Sequence, residues 1–214
     1  MKLISVNKSK KKSIEYQGKQ ILTGIFKEPA EGKTLVRQGN LEGDEQADLV
    51  NHGGSHKAVY GFSYDHYNYW RDTLKQPDLQ HGAFGENLTI SGLDEAGLFI
   101  GDQLSIGECV LEVSQPRVPC FKLGIALKNT RAPKLFTKTY NTGVYFRVVN
   151  EGVISAGDSV TKMHSASHSV SIKSLFRAYF DKSFEQAHQI MTEALTLEAL
   201  APEWQEKLLS RLPE

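Results

Sequence analysis

The chain has 214 residues, 25 of them Lys or Arg and 25 Asp or Glu, so its formal net charge is zero. That length suffices for one sizeable core or for a main domain with an appendage, and the charge balance leaves no bulk field that points to nucleic acid or an anionic membrane. With 40% hydrophobic and 23% charged residues and no apolar run long enough to span a bilayer, the composition is that of a soluble globular protein, and the expected location is cytoplasmic.

"MKLISV" at the start is too short in apolar residues for a signal peptide and predicts a first strand. The basic run from Lys8 to Lys12 reads as a solvated loop. Short stretches rich in β-branched and aromatic residues then predict strands over Gln20–Phe26, Lys57–Ser63, Glu86–Ser91, Asp102–Ile106, Cys109–Ser114, Val144–Asn150 and Asp158–Met163. "IGE" and "NEG" between successive strands read as hairpin turns. One helix interrupts the series over Ser63–Leu74, where Tyr67, Trp70 and Leu74 fall at helical spacing and Ser63 is a candidate N-cap. Its aromatic residues read as packing. Many short strands at this spacing predict a mainly β fold, an antiparallel barrel or sandwich, over residues 1–163.

The polar stretch 164–170 is a connector. Residues 171–214 change to helical patterning: Leu175, Phe176, Tyr179 and Phe180 share a face, and Ser183 with Gln186 forms a candidate capping box. Pro202 suits the first turn of a third helix carrying Trp204, Leu208 and Leu209. No catalytic motif stands in them, so the expectation is a small helical domain for packing, homodimerisation or partner docking.

The two cysteines occupy different settings. Cys109 alternates with Leu111 and Val113 on one strand face and reads as a small buried hydrophobe. Cys120 lies in "SQPRVPCFKL", where Pro116 and Pro119 stiffen the loop and Arg117 and Lys122 favour a thiolate, the form that attacks electrophiles and binds soft metals. No second cysteine at CxxC spacing completes a zinc site, and no histidine has the spacing of a diagnostic base. In "NHGGSHKAVY" the Gly53-Gly54 pair either turns backbone N–H groups toward an anion or forms a plain tight turn. In "GAFGENL", Glu86 and Asn87 either bind a ligand or order a turn.

Taken in order, "NHGGSHKAVY", "GAFGENLTISGL", "GDQLSIGECVLEVSQPRVPCFKL" and "GVYFRVVNEGVISAGDSV" resemble the MOSC domain, named for the C-terminal domain of molybdenum cofactor sulfurases. The resemblance covers nearly the whole chain and is nearest the stand-alone bacterial branch with a C-terminal three-helix segment. It implies a β-barrel-like fold and a molybdenum cofactor (molybdopterin) with Cys120 as metal ligand and catalytic residue. By the same resemblance Arg117 and Gln115 fall where the pterin phosphate is bound, and Thr23 and Lys27 where relatives place a hydroxyl and a lysine. His52, Gly53, Glu86 and Asn87 match further family motifs. The implied activity is reduction of N-hydroxylated compounds, with pyridoxal phosphate binding a further family-level association. With only two cysteines and no flavin or haem motif, reducing equivalents are expected from a separate electron donor, a flavoprotein. The competing readings are a non-catalytic carrier of the cofactor or of sulfur, and a cysteine-dependent enzyme without metal.

Overall fold

A computed structural model describes residues 1–47 and 53–212. The strands are β1 (Lys2–Lys8), β2 (Lys12–Tyr16), β3 (Lys19–Thr23), β4 (Glu28–Pro29), β5 (Thr34–Val36), β6 (Val59–Ser63), β7 (Leu88–Ser91), β8 (Gln103–Ile106), β9 (Cys109–Pro116), β10 (Val144–Asn150), β11 (Gly152–Ile154) and β12 (Val160–His164). The helices are α1 (Tyr67–Leu74), α2 (Phe121–Ala126), α3 (Ala132–Thr139), α4 (Ile172–Phe180), α5 (Ala187–Leu195) and α6 (Pro202–Leu209).

Eight strands form one sheet in the order β12-β8-β9-β10-β6-β7-β1-β4, antiparallel except for the parallel pair β6–β7. The sequence predicts a barrel or sandwich; the structure shows a large, mostly antiparallel sheet with helices on its faces. Its two flanks touch at one bridge, Lys2 to Ser159, supported by backbone bonds from Leu3 to Asp158 (2.9 Å) and from Val160 to Met1 (3.0 Å). No continuous ladder joins β1 to β12 among the described pairings.

The strand positions expected from sequence hold, and the "IGE" turn does join β8 to β9, with Ile106 opposite Cys109. "NEG" does not make a hairpin: β11 leaves the β10 direction and pairs with β5. The basic run is a loop only at its centre: Lys8 ends β1 and Lys12 opens β2, and Lys12–Tyr16 pairs with Lys19–Thr23 in a hairpin of its own. Its second strand answers to the one expected over Gln20–Phe26; the first, largely exposed and polar, carries no sequence signal. Ser63 makes no side-chain cap; a 3₁₀ turn over Tyr64–His66 precedes α1.

Both faces of the sheet are covered. On one, Leu88, Ile90, Leu104, Leu111, Val113 and Phe146 join Leu175, Phe176, Ile190, Trp204 and Leu208 of α4–α6 in a single buried cluster. On the other, Tyr60 and Phe62 of β6 pack with Tyr67 and Trp70 of α1, Phe84, and Phe136 of α3. The rings are close, with Phe62 4.5 Å from Phe84 and Trp70 5.1 Å from Phe136, at offset or tilted geometries that aromatic quadrupoles favour. Tyr67 and Trp70 of α1 are thus packing residues, while Tyr69 is exposed.

The three C-terminal helices stand where the sequence puts them, with Pro202 opening α6. The capping box is at Ser171 and Ser174 of α4, not at Ser183 and Gln186; α5 begins at Gln186 without a side-chain cap. These helices are stitched to the sheet as well as packed on it. Ala201 N–H donates to Ser114 O (3.1 Å), Ile172 N–H to Leu98 O (2.8 Å), and Trp204 Nε1 to Pro116 O (3.2 Å). This cover explains why β9 alternates between buried and half-buried up to Val113 and is buried at every residue from Val113 to Pro116.

Candidate functional site

The end of β9 is the geometric origin of the site. Its last residue, Pro116, faces Val144 of β10, and the chain then turns with Arg117 N–H donating to Gly143 O (3.3 Å). Gly143 has φ +78°, and a Cβ there would lie 2.5 Å from Gly61 O, so only glycine lets β10 start this close to β6. After Pro119 the backbone reaches Cys120 in an extended conformation (φ −119°, ψ 172°), the residue that caps α2, and Leu123 N–H returns to Cys120 O (3.0 Å). α2 and α3 pack tightly because position 124 is glycine: a Cβ there would sit 3.1 Å from Asn129 O.

The two thiols differ as the sequence predicts. Cys109 is fully buried and its thiol is pushed up to about 12 by desolvation. Cys120 is partly exposed and lines a solvent-accessible cleft with a cavity volume of about 90 Å³. Arg117 lies in the same cleft, its guanidinium 5.5 Å from the centroid of Tyr60 and 5.3 Å from that of Phe136. The side chain is buried, and Nη1 has no hydrogen-bond partner among the described residues. A buried, unsatisfied guanidinium donor is costly unless something completes it. Tyr145 stands beside it, sharing a side-chain hydrogen bond with Arg117. Burial pushes its phenol up to about 12, with Arg117 pulling the other way and Cys120 and Glu203 adding to the rise.

Of the residues singled out from the sequence, Thr23, Lys27, Asn87, Arg117 and Cys120 line this cleft together. Thr23 Oγ1 accepts from Ile25 N–H (3.2 Å). Lys27 does not present a free charge, because its Nζ lies 2.6 Å from both carboxylate oxygens of Asp44 and both side chains are buried. Burial pulls the Lys27 pKa down, against Asp44, which raises it. Asn87 helps to fix this pair: Nδ2 donates to Asp44 Oδ2 (3.1 Å) while Oδ1 accepts from Tyr60 N–H (3.1 Å).

Glu86, Gln115 and Gly53 are not among the described residues that line the cleft, and His52 lies outside the described residues. Glu86 is fully buried and receives hydrogen bonds from Gly82 N–H (2.8 Å), Phe84 N–H (3.1 Å), Thr89 Oγ1 (2.8 Å) and the Tyr67 hydroxyl. Burial raises its pKa and those bonds oppose the rise. It orders the 82–87 turn that supports the cleft. Gln115 is buried within β9 opposite Tyr145, its Oε1 without a partner among the described residues.

The sequence did not single out Asp44, Lys57 or Tyr145. Lys57 is buried at the cleft wall and paired with Glu203 of α6, which also holds Lys207 at 2.7 Å. Lys57 stands in the quoted "NHGGSHKAVY", so its neighbourhood was visible; Asp44 and Tyr145 carry no local signature. Among the described residues no group of three or more His, Cys, Asp or Glu side chains could hold a metal ion. What the cleft offers is one partly exposed thiol and a buried guanidinium whose Nη1 has no partner among the described residues, with lysines at the wall. That donor set fits an anionic organic cofactor bringing most of a metal's ligands with it.

Comparison with known proteins places the chain in a family. The MOSC domain model matches residues 48–161. The chain is 39% identical over 211 residues to the uncharacterized protein YflK of Bacillus subtilis (strain 168), covering 98% of this chain and 93% of that one. A protein of Gibberella moniliformis named "Reductase" is 38% identical over 147 residues, 67% of this chain but 26% of the fungal protein. The crystal structure of YiiM from Geobacillus stearothermophilus superimposes with a TM-score of 0.83 at 29% identity, covering 99% of both chains. The signature loop, the sheet and the C-terminal helices are therefore those of a YiiM-like protein, and the chain belongs to the MOSC domain family.

Proposed function

We propose that the chain binds the molybdenum cofactor in the Cys120 cleft and reduces N-hydroxylated compounds there. The observation that carries the reading is the buried Arg117 Nη1, unpartnered among the described residues, in the same cleft as the partly exposed Cys120. An anionic group on the cofactor would complete that guanidinium, whose planar fork suits phosphate oxygens. Lys57 stands at the wall, held there by its ion pair with Glu203. Cys120 would supply the protein's thiolate ligand, held in position by Pro119 and the start of α2. Tyr145, with its phenol pushed up to about 12, stays protonated at neutral pH and can donate from its hydroxyl to a bound group. When bound, the cofactor supplies the oxygen-atom and electron-transfer chemistry, and the protein binds, orients and shields it. A named reductase among the relatives supports the same class of reaction. Lys27, neutralised by Asp44, has a positioning role in this reading.

The test is elemental analysis of protein purified from a host that makes the cofactor, followed by turnover of a hydroxylamine-type compound with an artificial electron donor. Stoichiometric molybdenum and turnover, both lost in Cys120→Ser, are the expected results. Molybdenum without turnover would assign the chain as a carrier, and turnover without molybdenum would assign a metal-free cysteine enzyme.

A further inference from the structure

The zero net charge of the whole chain conceals a strong asymmetry. Residues 113–150 contain Arg117, Lys122, Lys128, Arg131, Lys134, Lys138 and Arg147 and no Asp or Glu. The rest of the chain therefore carries a compensating acidic excess of seven. The fold puts most of this one-signed segment at the surface beside Cys120. Lys128, Arg131, Lys134 and Lys138, on α3 and the loop before it, are all exposed, and none has an ion pair among the described residues. They contrast with Lys27 and Lys57, whose carboxylate partners are in place.

The patch also has an apolar centre. Phe121, directly after Cys120, is 45% exposed and stacks on Tyr16 of the β2–β3 hairpin at 5.2 Å between centroids. Phe121, Pro119 and Pro133 line a shallow groove, and Lys128 and Lys134 line it too. Cys120 lines both this groove and the candidate cofactor cleft. An exposed aromatic centre with a cationic rim is the anatomy of a protein-binding surface, with charge supplying steering and orientation.

We propose that this face, the groove at Phe121 with its rim of Lys128, Arg131, Lys134 and Lys138, docks a small acidic redox protein that delivers electrons to the Cys120 centre. The inference rests on the reductase reading, since only a reductase needs a donor there. Charge complementarity selects an acidic partner. The position of Cys120 between groove and cleft puts the docked partner next to the centre it must reduce.

The test uses the full chain and, as probe, recombinant flavodoxin, a small acidic electron-transfer protein. Binding is measured by titration calorimetry at 20 and 300 mM NaCl for wild type and for the triple variant Lys128→Glu/Arg131→Glu/Lys134→Glu. All three positions are exposed and outside the cleft, so the fold and turnover with an artificial donor are expected to persist. The expected results are binding that weakens about tenfold or more with salt and by a similar factor in the variant, since several opposed charges act together. A redox-inert acidic protein of matched net charge is expected to bind at least tenfold more weakly. Equal binding by the variant, or no salt-dependent binding to wild type, overturns the proposal. Tighter variant-sensitive binding of duplex DNA or of phosphatidylglycerol vesicles also overturns it, by giving the face to a different partner. Because binding is read without turnover, a failed reductase assay with intact docking counts against the activity alone. Turnover with an artificial donor but no docking counts against this surface alone.

Discussion

Replacing Trp204 tests whether the C-terminal helices are an appendage or part of one cooperative structure. The indole is fully buried, faces Tyr179 edge-on with centroids 5.6 Å apart, and donates from Nε1 to Pro116 O. Trp204→Ala removes a large side chain from the cluster shared with β9, at a cost of about 3–5 kcal/mol. Trp204→Phe keeps most of the ring but loses the hydrogen bond, at a cost of about 0.5–1.5 kcal/mol plus a small void. For a domain of this size each kcal/mol moves Tm by roughly 2–4 °C, so the alanine variant should melt about 6–20 °C lower. The assay is urea unfolding followed by far-ultraviolet circular dichroism and by fluorescence. The chain has two tryptophans, and in either variant Trp70 remains as sole reporter, seated in the aromatic cluster on the opposite face of the sheet. One shared core predicts that Trp70 and dichroism report a single transition, shifted to lower urea. Two separated transitions, with the Trp70 midpoint at its Trp204→Phe value, would refute the reasoning and restore an independent helical unit.

Other outcomes follow from the site. Arg117→Ala should lower molybdenum occupancy severalfold, by more than the loss of its contacts with Tyr60, Phe136 and Tyr145 lowers the empty protein's Tm; equal occupancy would make Arg117 structural. In native protein, iodoacetamide followed by peptide mass mapping should label Cys120 and spare Cys109, which is buried with its thiol pushed up to about 12; labelling of Cys109 at a comparable rate would contradict the packing. Glu86 has its pKa raised by burial, so its contribution to stability is full below the unfolded value of about 4.5 and falls as pH rises through the folded value. The stability of wild type relative to Glu86→Gln should therefore decline with pH above that point, and a rising difference would reverse the assignment. Gly143→Ala should destabilise by more than 2 kcal/mol, about the scale of a strained φ plus a backbone clash, measured by the same urea titration.

Much of the site was legible because its key residues lie close together in sequence. Arg117, Pro119 and Cys120 fall in one loop, and proline and charge act over a few residues whatever the tertiary context. The strands were legible for a similar reason, since alternation is local. Partnership across the fold was not. Nothing near Lys27 announces that Asp44, seventeen residues on, will neutralise it, nor that Glu86 will be saturated by the turn that contains it. The helices α2 and α3 were missed because they are short, and α2 follows two prolines with a glycine inside it. The C-terminal stripes were correctly read as apolar. A stripe does not state what covers it, and here the end of β9 does.

The bridge between Lys2 and Ser159 has a consequence for how the chain comes to exist. Asn7 and Lys8 of β1 find Glu28 and Pro29 of β4 about twenty residues on, but its other neighbour, β7, comes some eighty-five residues later and the bridge partner of Lys2 only at Ser159. That bridge must wait until the chain has been made as far as Ser159. At roughly 5–20 residues per second that wait lasts about 8–30 s, and contacts so distant in sequence carry a large loop-closure cost. Contact between the two flanks of the sheet is thus among the last events of folding, with β1 already held by β4 and β7.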